Sequence, residues 1–230
     1  MEHTEYTIKT DKIDKDYTFV LLSDMHCRKE AGKEALALTR FIAPDAIFIV
    51  GDLVDRHFKR YRYAEPFIKE CVLVAPTYFS YGNHEIKYPR LYEDDIIAAG
   101  AVVLDNSWTY LDEKIVVAGQ RPYTEHDWLR DFEEFEEFKI LLDHHPEHYP
   151  EYLRDTHPEI DLILSGHAHG GQIRINDRGI FSPGQGLFPK YTKGLIDDKL
   201  IITTGIANTG GFIPRFGNPT EIVVIHLEKE

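Results

Sequence analysis

Short, unbroken apolar runs punctuate the first 166 residues: "YTFVLL" (17–22), "AIFIV" (46–50), "TYFSYG" (77–82), "KIVVAG" (114–119), "KILLD" (139–143) and "LILSG" (162–166). Polar and apolar residues scarcely alternate within them, which predicts strands covered on both faces rather than half-exposed ones. Segments of helical character lie between them, at 32–43, 61–71 and 88–100, the last ending in a glycine stop. Beyond these the pattern changes. "QIRI" (172–175), "KLIITTG" (199–205) and "EIVVIHL" (221–227) read as strands joined by glycine-rich loops without helices, as in a mainly antiparallel layer. Residues 127–138 place Trp128, Phe132, Phe135 and Phe138 on one helical face with acids opposite. This predicts an amphipathic helix on the core, or alternatively an aromatic cap over a site. No linker or repeat divides the chain. The expectation is one α/β domain over residues 1–230, two sheets packed face to face with helices outside.

Composition narrows the class. Hydrophobic residues make up 43% of the chain and aromatics 12%, enough for a buried core. The apolar runs fall far short of the ~20 residues that a membrane-spanning helix needs. No basic segment followed by an apolar one opens the chain, so no secretory signal is expected. Cys27 and Cys71 are the only cysteines, too few for a disulfide framework, which fits a reducing cytoplasm. A net charge of −13 argues against general nucleic-acid binding. The expected setting is cytoplasmic, or peripheral to a membrane, although no basic amphipathic helix is visible to dock on anionic lipid.

The chemistry-bearing residues follow the strands. "SDMH" offers Asp24 and His26, "GDLVDRH" Asp52, "GNHE" Asn83 and His84, "LLDHHPE" His144, and "GHAHGG" His167 and His169. In open α/β sheets, ligands collect where loops converge outside the carboxyl ends of strands, so positions distant in sequence can meet there. Asp24, His26, Asp52, Asn83, His144, His167 and His169 supply oxygen and imidazole donors without thiolate, which suits Mn, with Fe and Zn as alternatives. Seven ligands exceed one ion that must keep an open position. Two divalent ions sharing a bridging carboxylate account for them, and such pairs recur in phosphoester hydrolysis.

The ordered series D-x-H, G-D-x-x-D-R, G-N-H-E, H-x-P and G-H-x-H resembles the calcineurin-like metallophosphoesterase superfamily over residues ~20–170. The continuation "GHAHGGQIRI", "KGL" and "NPTEIVVIHL" is similar to a small bacterial branch that includes UDP-diacylglucosamine pyrophosphatase-like phosphodiesterases. The resemblance implies a four-layer α/β/β/α sandwich of two mixed sheets flanked by helices. It also implies hydrolysis of a phosphodiester or pyrophosphate bond by a two-metal-activated hydroxide. One ion would be held by Asp24, His26, His169 and the bridging Asp52, the second by Asp52, Asn83, His144 and His167. His84 matches the acid that protonates the leaving oxygen, a role suited to a side chain that titrates near neutrality. Asp55 and Glu85 would hold neighbouring side chains in place. Arg56 matches a phosphate contact of some relatives, its forked guanidinium fitting that role.

The fifth motif departs from the family pattern, reading Asp143-His144-His145-Pro146, and the resemblance assigns His144 as the ligand. His3, His57, His126, His148, His157 and His226 are read as structural. Cys27 is read as a small buried thiol. The loop 205–219 is a long crossover, or a substrate-side wall with Arg215 facing a second phosphate. The rival functions are a phosphomonoesterase or protein phosphatase, and a noncatalytic scaffold of the same fold. A scaffold of this kind typically lacks ligands or the acid histidine, whereas this chain has the full set.

Overall fold

The apolar runs become the central strands of two facing sheets. The computed structural model describes residues 1–55, 63–87, 93–182, 184–208 and 215–230. The first half comprises β1 (Glu2–Thr10), β2 (Tyr17–Leu22), α1 (Lys29–Ile42), β3 (Ala46–Val50), α2 (Ala64–Val72), β4 (Thr77–Ser80), α3 (Glu93–Ala98) and β5 (Val102–Leu104). Next come β6 (Ser107–Asp112), β7 (Ile115–Gln120), α4 (Leu129–Glu133), β8 (Phe138–Asp143), α5 (Arg154–Thr156) and β9 (Leu162–Ser165). Two small hairpins follow, β10 (Arg174–Ile175) with β11 (Arg178–Gly179), and β12 (Phe181–Ser182) with β13 (Gly186–Leu187). The chain then runs through β14 (Gly194–Ile196), β15 (Leu200–Ile202) and β16 (Glu221–Lys229).

One six-stranded sheet has the order β1-β16-β2-β3-β4-β5, the other β14-β15-β9-β8-β7-β6. Both are mixed. Each has a parallel centre (β2–β5 in the first, β7, β8, β9 and β15 in the second) and one or more antiparallel pairings. Phe19, Leu21, Phe48 and Val50 point inward to meet Ile140, Leu142, Leu162 and Leu164 from the opposite sheet. The alternate residues Val20, Leu22, Ile47 and Ile49 pack outward with Phe67 and Ile68 of α2. On the other flank, Val116, Ala118 and Leu141 pack against Leu129 and Phe132 of α4. Burial on both faces is why these strands read as continuous apolar runs, and the result is the expected four-layer α/β/β/α sandwich.

The expectations for the C-terminal strands and for residues 127–138 need correction. β15 lies parallel to β9, and β16 lies parallel to β1 but antiparallel to β2, so this region is mixed rather than mainly antiparallel. The amphipathic helix is only Leu129–Glu133, because Phe138 already opens β8 and joins the core between the sheets. Trp128 and Phe135 pack on the outer α4 layer, where Trp128 Nε1 donates to Gln120 Oε1 at 3.0 Å. These aromatics therefore serve packing, the first of the two alternatives. Among the described residues, no helix is long and apolar enough to cross a membrane.

Candidate metal centre

The strands β2, β3 and β4 of one sheet and β8 and β9 of the other deliver their following loops to a common place. Asp24, His26, Asp52, Asn83, His144, His167 and His169 are all buried there. Among these seven, two groups have all their ligand atoms within 4.8 Å of one another, Asp24 with His26 and His169, and Asp52 with His144 and His167; His26 also groups in this way with Asp55 and His84. Asp52 stands between them. Its Oδ2 lies 3.7 Å from His26 Nε2 and 3.3 Å from His144 Nε2. Asp24 Oδ1 lies 3.5 Å from His26 Nε2 and 3.6 Å from His169 Nε2.

The backbone is bent to bring these groups together. Asp24, His26, Asp52, His167 and His169 hold φ values of 58°, 46°, 54°, 60° and 46°, in the left-handed region. Such conformations cost non-glycine residues about 1–3 kcal/mol each and persist only where the surroundings impose them. Close approach also requires glycine at two flanking positions. A Cβ on Gly82 would lie 2.2 Å from Asp52 Oδ1, and one on Gly166 would lie 2.0 Å from Ser23 Oγ.

Hydrogen bonds hold Asp24, Asp52 and His144 and leave other ligand atoms of the set without partners. His144 Nδ1 lies 2.8 Å from the Val50 carbonyl, so its N–H donates there and Nε2 is turned toward Asp52. Asp24 Oδ2 accepts from the His167 N–H at 3.1 Å and has Ser23 Oγ at 2.6 Å, and Asp52 Oδ1 accepts from the His84 N–H at 2.9 Å. Asp24 Oδ1, both His26 nitrogens, Asn83 Oδ1, His144 Nε2 and His169 Nδ1 are buried without a hydrogen-bond partner. Each uncompensated buried polar atom costs about 1–3 kcal/mol, so a cluster of them is explained by a group that binds there. Oxygen and imidazole donors in this number fit divalent cations.

Electrostatics point the same way. Burial opposes ionisation of Asp24 and Asp52, yet the surrounding histidines outweigh it and hold both below the usual carboxylate range. Burial likewise opposes charging of His144, but Asp52 overrides it and pushes the imidazole up to about 10. His26 is likewise raised, by Asp24 and Asp52 against burial, whereas burial dominates at the other two, lowering His169 to about 4 and His167 well below the usual imidazole value, which keeps their lone pairs available. Without cations, the carboxylates depend on imidazolium for compensation; divalent ions would replace that positive charge.

His84 sits at the rim of this cluster. Its ring meets the His26 ring edge-on at 4.6 Å, its Nδ1 is 3.7 Å from Asp55 Oδ1, and its Nε2 is 3.9 Å from Asp52 Oδ2. Glu85 holds backbone instead of the expected neighbouring side chains. It accepts N–H bonds from Asp52, Val54 and Gly82, clamping β3 and β4 loops together. Burial, followed by the proximity of Asp52, raises Glu85 to about 7. Arg56 and His57 lie outside the described residues.

Other assignments also resolve. Arg215 is half-buried and donates to the carbonyls of Thr204, Ala207, Asn218 and Pro219, so it ties the described ends of its loop together. Cys27 is buried, and burial raises its thiol to about 11. His126 pairs with Tyr152, His148 with Asp143, and His157 with Glu133, in keeping with structural roles. Sequence reasoning missed Ser23 and Asn218. Asn218 donates to the carbonyls of His169 and Gln172, fixing the His169 turn from 49 residues away, and no local motif announces it.

His144 and His145 are now distinguishable. His144 faces Asp52, whereas His145 turns its ring against His167 at 4.4 Å. His144→Ala should reduce metal affinity or activity by more than the ~10–100-fold typical of losing an outer-shell partner, and His145→Ala by about tenfold at most. Metal titration of both variants checks this, and the reverse order would shift the ligand by one residue.

Two mixed sheets that converge on paired Asp/His clusters define the architecture of a metal-dependent phosphoesterase. The chain belongs to the calcineurin-like phosphoesterase family, whose sequence model matches residues 17–171. An uncharacterized metallophosphoesterase of Aquifex aeolicus is 26% identical, with 97% of this chain and 90% of that protein covered. A Bos taurus transmembrane protein with metallophosphoesterase domain is 32% identical over 67% of this chain but only 40% of its own length. Among solved structures, TT1561 of Thermus thermophilus shares the fold with a TM-score of 0.56 at 15% identity, covering 84% of this chain and 91% of that one. A dimetal phosphatase from Danio rerio shares it with a TM-score of 0.53 at 11% identity, covering 84% and 88%.

Proposed function

We propose that this metallophosphoesterase holds two divalent ions, Mn2+ first among candidates, and hydrolyses a phosphodiester or pyrophosphate bond. The observation that carries the reading is the position of Asp52 Oδ2, 3.7 Å from His26 Nε2 and 3.3 Å from His144 Nε2, as a bridging carboxylate requires. In this reading Asp24, His26, His169 and Asp52 hold one ion, and Asp52, Asn83, His144 and His167 hold the other. When bound, such ions supply a hydroxide nucleophile at neutral pH and neutralise charge on the phosphoryl oxygens.

The chain's own residues do the rest. His84 gives its proton to the leaving oxygen as the phosphorus–oxygen bond breaks and the new bond to hydroxide forms. Asp55, 3.7 Å from His84 Nδ1, orients the ring for that transfer. Glu85 keeps Asp52 in register by holding its N–H. Arg56 contacts the substrate phosphate. The free thiols of Cys27 and Cys71 agree with a cytoplasmic setting.

The test is turnover of bis(p-nitrophenyl) phosphate, p-nitrophenyl phosphate, nucleotides and a nucleoside-diphosphate sugar by the Mn2+-loaded protein. Diester or pyrophosphate cleavage that chelation abolishes and Mn2+ restores is expected. Preference for the monoester would replace the reading with a phosphomonoesterase, and inactivity with all ligands intact would favour the scaffold.

A further inference from the structure

The segment that follows the metal-centre turn carries a surface of a different kind. Residues 172–193 contain four cations, Arg174, Arg178, Lys190 and Lys193, against one acid, Asp177, in a chain whose net charge is −13. All five line a cavity of about 500 Å³, together with Phe188, Pro189 and Thr192. Arg174 is anchored by donating to the Gly170 carbonyl and to Thr192 Oγ1, and Lys193 pairs with Glu221 at 2.7 Å. Arg178 and Lys190 are exposed.

Exposed apolar side chains occur on the same segment and on the Phe216 strand that bridges to it, and Phe188 itself lines the cavity. Leu187 is 71% exposed, Phe188 74%, Phe216 68% and Ile175 54%. Their positions are fixed by backbone pairing. Phe181 is opposite Leu187 in the β12–β13 hairpin, the Phe188 N–H donates to the Ile180 carbonyl, and Phe216 bridges to Ile173. These are large apolar groups held out into solvent on a pinned framework, so they do not collapse onto the core.

We propose that this hairpin surface docks on an anionic lipid membrane, with a lipid phosphate entering the basic cavity and Leu187 and Phe188 entering the interface beside it. Mixed composition favours lipid over protein. Protein interfaces are depleted of lysine, whereas attachment to anionic lipid combines exposed apolar side chains with lysine as well as arginine. Screening confines the repulsion from acidic residues elsewhere to about 8 Å at physiological salt, so the local basic patch governs close approach. Here two-residue strands present apolar side chains and cations together. The surface adjoins the metal centre, since Gly184 of the same hairpin packs on Glu147, whose Oε1 is 3.9 Å from His167 Nε2.

The experiment is co-sedimentation of the full chain with phosphatidylcholine vesicles, with and without phosphatidylglycerol. Binding is expected only with phosphatidylglycerol and should weaken as salt is raised. Each cation removed near the surface should cost about fivefold in partition, so Arg178→Glu with Lys190→Glu should abolish detectable binding. Leu187→Ser with Phe188→Ser should weaken it by at least about tenfold. Phe41→Ser, at an apolar side chain 89% exposed on α1, should leave it unchanged. Phe188→Trp should show a blue-shifted emission on adding anionic vesicles. All of these positions are at the surface, and thermal unfolding verifies that each variant folds. Failure of the wild-type chain to sediment with anionic vesicles, or equal binding by the charge-reversed variant, would overturn the proposal. Concentration-dependent dimerisation lost in the Leu187/Phe188 variant, without vesicle binding, would make this surface a self-interface instead.

Discussion

Asp52→Ala is expected to lower occupancy of both proposed metal positions and to reduce phosphoester turnover by well over a hundredfold, whereas His26→Ala should weaken mainly one position. The asymmetry follows from geometry. Asp52 Oδ2 is the oxygen that faces both His26 and His144, while His26 groups with Asp24 and His169. Loss of an outer-shell partner commonly costs ~10–100-fold in metal affinity or activity, so loss of a ligand shared by two ions should exceed that range. Elemental analysis of the two variants gives the answer directly. Two tightly held ions in Asp52→Ala would rule out the bridging assignment.

His84→Ala should produce a loss that depends on the leaving group. A nitrophenolate departs readily without a proton, whereas an alkoxide does not. The variant should therefore lose about 10²–10⁴-fold on an alkyl phosphodiester and far less on a nitrophenyl one. Its metal content should stay unchanged, because the His84 side chain lies at the rim, its Nε2 3.9 Å from Asp52 Oδ2, and the hydrogen bond to the Asp52 carboxylate comes from the backbone N–H. That backbone bond survives the substitution. Equal losses on both esters with metal retained would make His84 a phosphate-orienting residue instead of a proton donor.

Much of this arrangement was legible because strands buried on both faces leave a strong trace. The runs at 17–22 and 46–50 coincide with β2 and β3, and an aspartate of the centre stands two residues past the end of each. β1 was not seen, since at the sheet edge its burial alternates and its sequence, "EHTEYTIKT", has little continuous apolar character. β6 escaped for a similar reason: "SWTYLD" is half-buried at the edge of the other sheet. The helix expected through Phe138 failed because aromatic spacing cannot distinguish one longer helix from a short helix followed by a strand.

Within the site, residue types and order were enough to gather seven candidate ligands, but not to find what supports them. Glu85 works through three backbone N–H groups and Asn218 through two carbonyls, interactions that exist only after distant loops have met. The docking surface was invisible for the same reason. Its cations and apolar residues have no helical periodicity, and only the pairing of β10 with β11 and β12 with β13 brings them together.

Anomalous diffraction from crystals equilibrated with Mn2+ tests the central claim most directly. The account predicts two peaks per chain, on either side of Asp52 Oδ2 and about 3.5–4 Å apart, one among Asp24, His26 and His169 and the other among Asn83, His144 and His167. A single peak, or density confined to the neighbouring Asp143, His145 and His148 group, would contradict it.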